Sequence, residues 1–294
     1  MRISVVICTY NRAKFIRSCL EHIFNQSLPK SEYEVIVVNN NCTDGTKTIV
    51  DEFIAEHYEL DIKQVTETNQ GLSFARNRGI KEAKYELISY IDDDGEANCE
   101  WLYRIRDHFL KNNKLVGIGG KVLPIYETSE PNWLSYHTRM MVTHIDYGDK
   151  VFKCYGKKYP AGCNMTYSKD TLLKTSGFNE SLKWRVDDKH IFYEVSKISN
   201  EIYYFPDLIV YHNIDKSRIS DESFNLLSKR LGQEEKLRTL DLGWFHYFLK
   251  IINYTIILGV SLIYYIGFTL KGENLKGIYL VRFRYLALKA LISG

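Results

Sequence analysis

Through residues 3–91 short apolar runs alternate with segments whose apolar residues recur at helical spacing, and this alternation limits the fold more than any other feature. Residues 3–9, 34–38, 62–65 and 86–91 read as strands, and 13–24, 46–57 and 72–83 as the helices between them. Strand followed by helix, repeated, predicts an α/β fold with a mostly parallel, doubly wound sheet. A chain of 294 residues holds one large domain or two fused halves. It contains no internal repeat and no low-complexity linker.

Past residue 98 the alternation loosens. Residues 101–110 read as a helix and 116–122 as a strand in which Gly117, Gly119 and Gly120 permit close backbone approach. Residues 126–159 are polar, aromatic and aperiodic, hence loop-rich. Helices are expected over 169–175, with Ser168 as its cap, and over 187–199; short strands are expected at 202–205 and 208–211, beside Pro206. The expected domains are 1–235, divided into halves 1–97 and 98–235 where the alternation loosens, and a helical, apolar extension over 236–294.

The strand ending at Ile91 runs into Asp92-Asp93-Asp94-Gly95. Open α/β sheets bind ligands at the C-terminal edge of their strands. Carboxylates crowded at such an edge repel one another unless a cation lies between them, and Mg²⁺ or Mn²⁺ on a diphosphate supplies that charge. A solvated acidic loop is the alternative for an isolated triplet. The other strand ends bear on the choice. Thr9-Tyr10-Asn11-Arg12 follows the first strand and Asn39-Asn40-Asn41-Cys42-Thr43-Asp44 the second. Asn and Asp tolerate tight turns, and Asp44 or Thr43 is placed to cap the next helix. Arg76 and Arg78 fall on an early helical turn, either to reach a phosphate or to be solvated.

These segments, in this order, resemble the family 2 glycosyltransferases, which have the GT-A fold; the bacterial cell-surface polysaccharide enzymes are the nearest in kind. The resemblance covers about residues 1–235 and continues through Ala161-Gly162-Cys163-Asn164-Met165, Gly177-Phe178-Asn179-Glu180, Asp187-Asp188, Val210-Tyr211-His212 and Arg218. It implies that Thr9, Tyr10, Asn11, Arg12, Asn39, Asn41, Arg76, Asp92 and Asp93 bind the nucleotide-sugar. It implies that Asp94 and His212 hold the metal, Mg²⁺ or Mn²⁺, and that Asp188 is the catalytic base. Gly162, Asn164, Trp184, Arg185 and Asp187 would lie along the sugar and acceptor cleft, in an acceptor-binding half (98–235) that follows a nucleotide-binding half (1–97). The family usually has Asp where this chain has Asn39, and Glu where it has Asp187. Each residue also has a plainer use: His212 as a structural histidine, Asp187 and Asp188 as charges complementing a helix N-terminus, Trp184 as core.

The chemistry implied is an inverting transfer of a sugar from a nucleotide-diphosphate donor to a hydroxyl of a glycan or lipid-linked acceptor. Two alternatives stand beside it: direct transfer to polyprenyl phosphate, and a catalytically weak nucleotide-sugar-binding partner subunit. The net charge of +3 is too small to point to nucleic acid. From Asp241 onward, however, Lys250, Lys271, Lys276, Arg282, Arg284 and Lys289 face only Asp241 and Glu273 among acids. Residues 251–270 carry no charge and, as a helix, would be about 30 Å long. Positive charge on both sides of this run argues against a single crossing, so the tail reads as peripheral or monotopic on the cytosolic face of the cell membrane. A core helix or the interface of a homo-oligomer is the other reading. The start of the chain lacks a secretory leader pattern, and the six cysteines form no C-x-x-C pair, which fits reduced thiols in the cytoplasm.

Overall fold

The computed structural model describes residues 1–182 and 186–293. These form two compact units, one of residues 1–123, 145–182 and 187–213, the other of 124–144, 186 and 214–293. In the first, strands β1 (Ile3–Thr9), β2 (Tyr33–Asn39), β3 (Asp61–Thr66) and β4 (Leu87–Asp92) pair in parallel in the order β3-β2-β1-β4. Helices α1 (Ile16–Phe24), α2 (Thr46–Glu56) and α3 (Leu72–Glu82) connect them. The strands are apolar on both faces because both are covered. Val5 and Ile7 of β1 pack with Val35 and Val37 on one face, while Val6 packs with Ile36 and Val38 on the other.

Beyond β4 the sheet is mixed. It runs on through β8 (Met165–Ser168), which is antiparallel to both β4 and β6 (Gly117–Tyr126), and then through β9 (Ile202–Ile214) to β5 (Gly95–Ala97); β5 and β7 (Phe152–Lys153) pair antiparallel with β9. Two differences from expectation follow from these pairings. β5 and β8 are too short for a sequence pattern and exist as strands through their partners. The two runs beside Pro206 are one strand, and Pro206 falls between the residues that pair with β7 and those that pair with β5, so it interrupts neither of these ladders. Helix α4 (Trp101–Lys111) covers one face, with Trp101 and Ile105 in its core, and α6 (Asp187–Ser196) covers the other. Ser168 precedes the single turn α5 (Lys169–Leu172), but its side chain makes no capping bond.

The second unit gathers α7 (Asp221–Asp241), α8 (Trp244–Leu270) and α9 (Asn274–Ser293) with the segment 124–144. Trp133 fastens that segment by stacking on Tyr279 at 5.3 Å and meeting Phe224 edge-on at 5.0 Å. Residue 235, where the sequence placed a domain boundary, lies inside the continuous helix α7. Among the described residues, α8 is the one helix long and apolar enough to cross a membrane.

The glycines of β6 have the role their pattern suggested. A Cβ on Gly120 would sit 2.0 Å from the carbonyl oxygen of Leu208 on the neighbouring strand β9. Gly120→Ala should therefore force the strands apart and lower stability by about 1–3 kcal/mol, read as a reduced urea midpoint with unchanged slope. An unchanged midpoint would show that β6 and β9 do not need this contact.

Candidate active site

Parallel pairing aligns three strand ends. Thr9 is opposite Asn39, and Cys8 is opposite Asp92. The loops that follow turn sharply, and Asn11 (φ 54°) and Asn41 (φ 65°) take left-handed conformations that asparagine tolerates better than most residues. Asn11 Oδ1 accepts the Thr43 N–H at 2.8 Å, tying the first loop to the second. Asp44 accepts from Thr46 N–H at 3.0 Å and Ala13 N–H at 3.1 Å, so it does serve the start of α2. Tyr10 is exposed at this edge.

The aspartate run is placed by β5. Gly95 pairs with His212, and Asn213 N–H donates to the Asp94 carbonyl at 2.9 Å, so β9 delivers His212 directly beside Asp94. His212 Nε2 lies 3.0 Å from Asp94 Oδ1, and both side chains are almost fully buried. The pair lacks hydrogen-bond geometry, and both ring nitrogens of His212 are buried without a hydrogen-bond partner among the described residues. Buried polar atoms ordinarily find partners. Asp92, Asp94 and His212 each bring a ligand atom within 4.8 Å of the others, so the donor set fits a divalent cation of the Mg²⁺ or Mn²⁺ type.

Charge is densely packed here. Arg76 is 2% exposed and sits between two carboxylates, pairing with Asp187 and reaching Asp92 Oδ1 at 3.2 Å. The sequence left it either to reach a phosphate or to be solvated; in the structure it is a buried brace that ties β4 to α6. Arg78 pairs with Glu82 on its own helix. Arg12 is different: a third of its side chain is exposed, and it lies 3.6 Å from Asp93 and 3.8 Å from Asp94. Burial pushes the Asp93 carboxyl well up, the Asp94 charge adds to that, and Arg12 opposes it. Among the described residues, five carboxylates (Asp92, Asp93, Asp94, Asp187 and Asp188) thus gather around two guanidiniums.

Asp188 opens α6 beside Gly162, whose N–H donates to Asp188 Oδ2 at 3.1 Å; the Lys189 N–H donates to Oδ1 at 2.7 Å. Burial, then the charge of Asp187, raises its pKa to about 6, against the opposing pull of Arg76 and those two N–H groups. Gly162 has a second duty, since a Cβ there would meet the Arg76 guanidinium at 2.6 Å. Val186, just before this pair, holds φ 58°, a strained conformation for a β-branched residue.

Other expected residues are placed differently. Asn164 is 1% exposed; it accepts from Trp101 Nε1 at 2.9 Å and donates to the carbonyls of Lys121 and Leu208, so it locks strands together and does not line a cleft. Asn39 Oδ1 accepts the Cys42 N–H at 2.9 Å and Nδ2 faces Gln64, which makes it a turn organiser. Asn41 donates to the Thr68 carbonyl at 2.7 Å. Trp184 and Arg185 lie outside the described residues. Asn40, which the sequence did not single out, is buried and joins the second and third loops through Glu67, Asn69 and Gly71.

The profile of glycosyl transferase family 2 matches residues 4–174, more than half of the chain. The chain belongs to glycosyl transferase family 2. It is similar to glycosyltransferase AglE of Haloferax volcanii, 38% identical over 102 residues that make up 35% of this chain and 33% of that protein. It is also 23% identical over 212 residues to the glucosyl-dolichyl phosphate glucuronosyltransferase of the same organism, spanning 69% of this chain and 64% of that one. The chain thus spans about a third to two thirds of the length of these two relatives. Among solved structures, mannosyltransferase PcManGT of Pyrobaculum calidifontis, in complex with GDP-Man and Mn²⁺, superposes with TM-score 0.66 at 15% identity, over 98% of this chain and 87% of that one. Residues 1–349 of TarS from S. aureus give 0.57 at 21%, over 79% and 65%. These likenesses establish the GT-A fold for this family 2 chain, and neighbours of that fold bind nucleotide-sugars.

Because Arg12 is the exposed counter-charge of Asp94, it competes with a cation for that carboxylate. Arg12→Ala should bind Mn²⁺ about 2- to 5-fold more tightly when no nucleotide is present, as measured by electron paramagnetic resonance. Weaker Mn²⁺ binding in the variant would count against this role.

Proposed function

We propose that this protein is an inverting, metal-dependent glycosyltransferase. It moves a sugar from a nucleotide-diphosphate donor to a hydroxyl of a glycan or lipid-linked acceptor in cell-surface polysaccharide synthesis. The observation that carries the reading is the meeting of the Asp92–Asp94–His212 ligand set, with Asp94 and His212 buried, and a half-buried, N–H-anchored Asp188 on one sheet edge. The nucleotide would lie over the β1 and β2 loops, against Thr9, Tyr10, Asn11, Arg12, Asn39 and Asn41, with Asp92 and Asp93 beside it. A Mg²⁺ or Mn²⁺ ion bound by Asp94 and His212 would supply positive charge against the diphosphate leaving group.

The protein's own part in the chemistry falls to Asp188. A hydroxyl is a poor nucleophile near neutral pH, and a carboxylate within hydrogen-bond reach takes its proton as it attacks. The bond from the acceptor oxygen to the anomeric carbon forms as the bond from that carbon to the phosphate oxygen breaks, and the proton ends on Asp188. One displacement inverts the anomeric centre. Gly162 and Lys189 N–H groups fix both carboxylate oxygens, and Arg76 holds Asp187 away from the reaction. A relative named for glucosyl-dolichyl phosphate supports a lipid-linked acceptor, and the exposed helix α8 supports peripheral membrane association. Direct transfer to polyprenyl phosphate has no feature in its favour here.

A base with pKa near 6 must be ionised to act. The logarithm of kcat/KM should therefore rise with pH through about 6 and then level. Asp188→Asn should cut kcat by about 10²-fold or more, abolish that acid limb and leave donor binding nearly unchanged. If donor affinity collapsed with turnover, Asp188 would be a binding residue. Asp94→Asn should abolish transfer and weaken nucleotide-diphosphate binding, and EDTA should reproduce both effects. Full activity in EDTA would defeat the metal-dependent reading.

A further inference from the structure

We infer that α8 lies in the plane of an acidic lipid leaflet and does not cross it; this rests on the membrane association proposed above. Helix α8 has 27 residues and a single charged one, Lys250. Trp244, Phe248, Ile252, Ile256, Ile263 and Ile266 are all exposed along its length, and Ser261 alone is buried. A monomeric soluble protein rarely leaves so long an apolar surface uncovered.

What decides the orientation is the company α8 keeps. A Cβ on Gly277 would lie 3.0 Å from the Tyr265 Cα, and Tyr247 Oη donates to the Leu291 carbonyl at 3.0 Å. The two contacts put α9 antiparallel to α8 and against it from end to end. Helix α7 lies as closely on α9, since a Cβ on Gly232 would meet the Ala287 carbonyl oxygen at 2.1 Å. Lys250 Nζ reaches back to Glu235 of α7 at 3.0 Å. If α8 crossed a bilayer in this packing, α9 would cross with it, carrying Arg282 and Arg284 near its middle. Each arginine at the centre of a spanning helix weighs against insertion by about a hundredfold. Helix α7 brings charge on nearly every turn, from Asp221 and Glu222 to Asp241.

Lying flat removes the conflict. The apolar sides of α8 enter the acyl boundary while the charged helices stay at the headgroups. The charge sign fits an anionic leaflet. Helix α9 contains no acidic residue, and its exposed positions Leu275, Ile278, Tyr285 and Ile292 share a helical stripe with Arg282 and Lys289. Apolar and aromatic side chains interleaved with basic ones suit the headgroup boundary.

The test uses the full chain and sealed phosphatidylcholine vesicles with and without phosphatidylserine. A small fluorescent amino acid is placed at His246 or at Thr269, exposed positions near the two ends of α8. Binding should need phosphatidylserine and weaken with salt, and Lys289→Gln should weaken it about fivefold. Iodide added outside the vesicles should quench both labels equally. A label protected until the vesicles are permeabilised would mean that α8 crosses, overturning the in-plane arrangement while sparing the membrane reading. No binding at low salt, with a dimer in solution, would overturn both and assign the face to a second copy of the chain. Neither result touches the proposed catalysis, which is assayed separately on a soluble acceptor.

Discussion

The Arg76 guanidinium sits between Asp92 at the end of β4 and Asp187 at the start of α6, out of water and in contact with both. A charge buried this deeply is tolerable only when it is paired, and removing one partner of such a pair costs about 3–5 kcal/mol. Much of the edge is arranged around it. Gly162 lacks a side chain where the guanidinium passes, and its N–H is free to hold Asp188. Asp187 is occupied with Arg76, and the adjacent Asp188 is held by the Gly162 and Lys189 N–H groups.

That arrangement separates what the sequence made legible from what it did not. Strands β1, β2 and β4 could be read because a strand covered on both faces leaves a continuous apolar run. Asp92, Asp94 and His212 were legible as a pattern, and the register of β5 against β9 is the physical reason they meet. The partner of Arg76 was not legible, since Asp187 lies more than a hundred residues away and any of several acids would have served. The structural bonds of Asn164 and Asn39 were not legible for a similar reason. A polar residue in a motif attracts a ligand-binding role, yet a buried amide with four hydrogen-bonding sites is equally suited to joining strands and turns.

The two compact units meet different physical demands. In the first, polar groups converge on one edge while both sheet faces are apolar and covered. In the second, helix α8 reverses the usual order, presenting apolar side chains outward and keeping Lys250 against Glu235 within the bundle. This inversion is why the apolar run alone was ambiguous. Length and composition are the same for a spanning helix and a helix lying flat, and the difference lies in which neighbours are charged.

Among the described residues, the contrast between two site arginines supports the proposed cation. Arg76 is immobilised by burial and spent on Asp92 and Asp187, whereas Arg12 stands at the surface, more than 3.5 Å from either of its carboxylates. Even with both counted, the described residues of this edge carry more negative than positive charge, and burial magnifies the repulsion between Asp93 and Asp94. A nucleoside diphosphate would bring further negative charge to the same place. Arg12 cannot balance both the aspartates and a diphosphate, because one guanidinium offers one charge. Added positive charge between them would favour the proposed donor, and the ring nitrogens of His212, without a hydrogen-bond partner among the described residues, lie beside Asp94 where the proposed cation would be taken up.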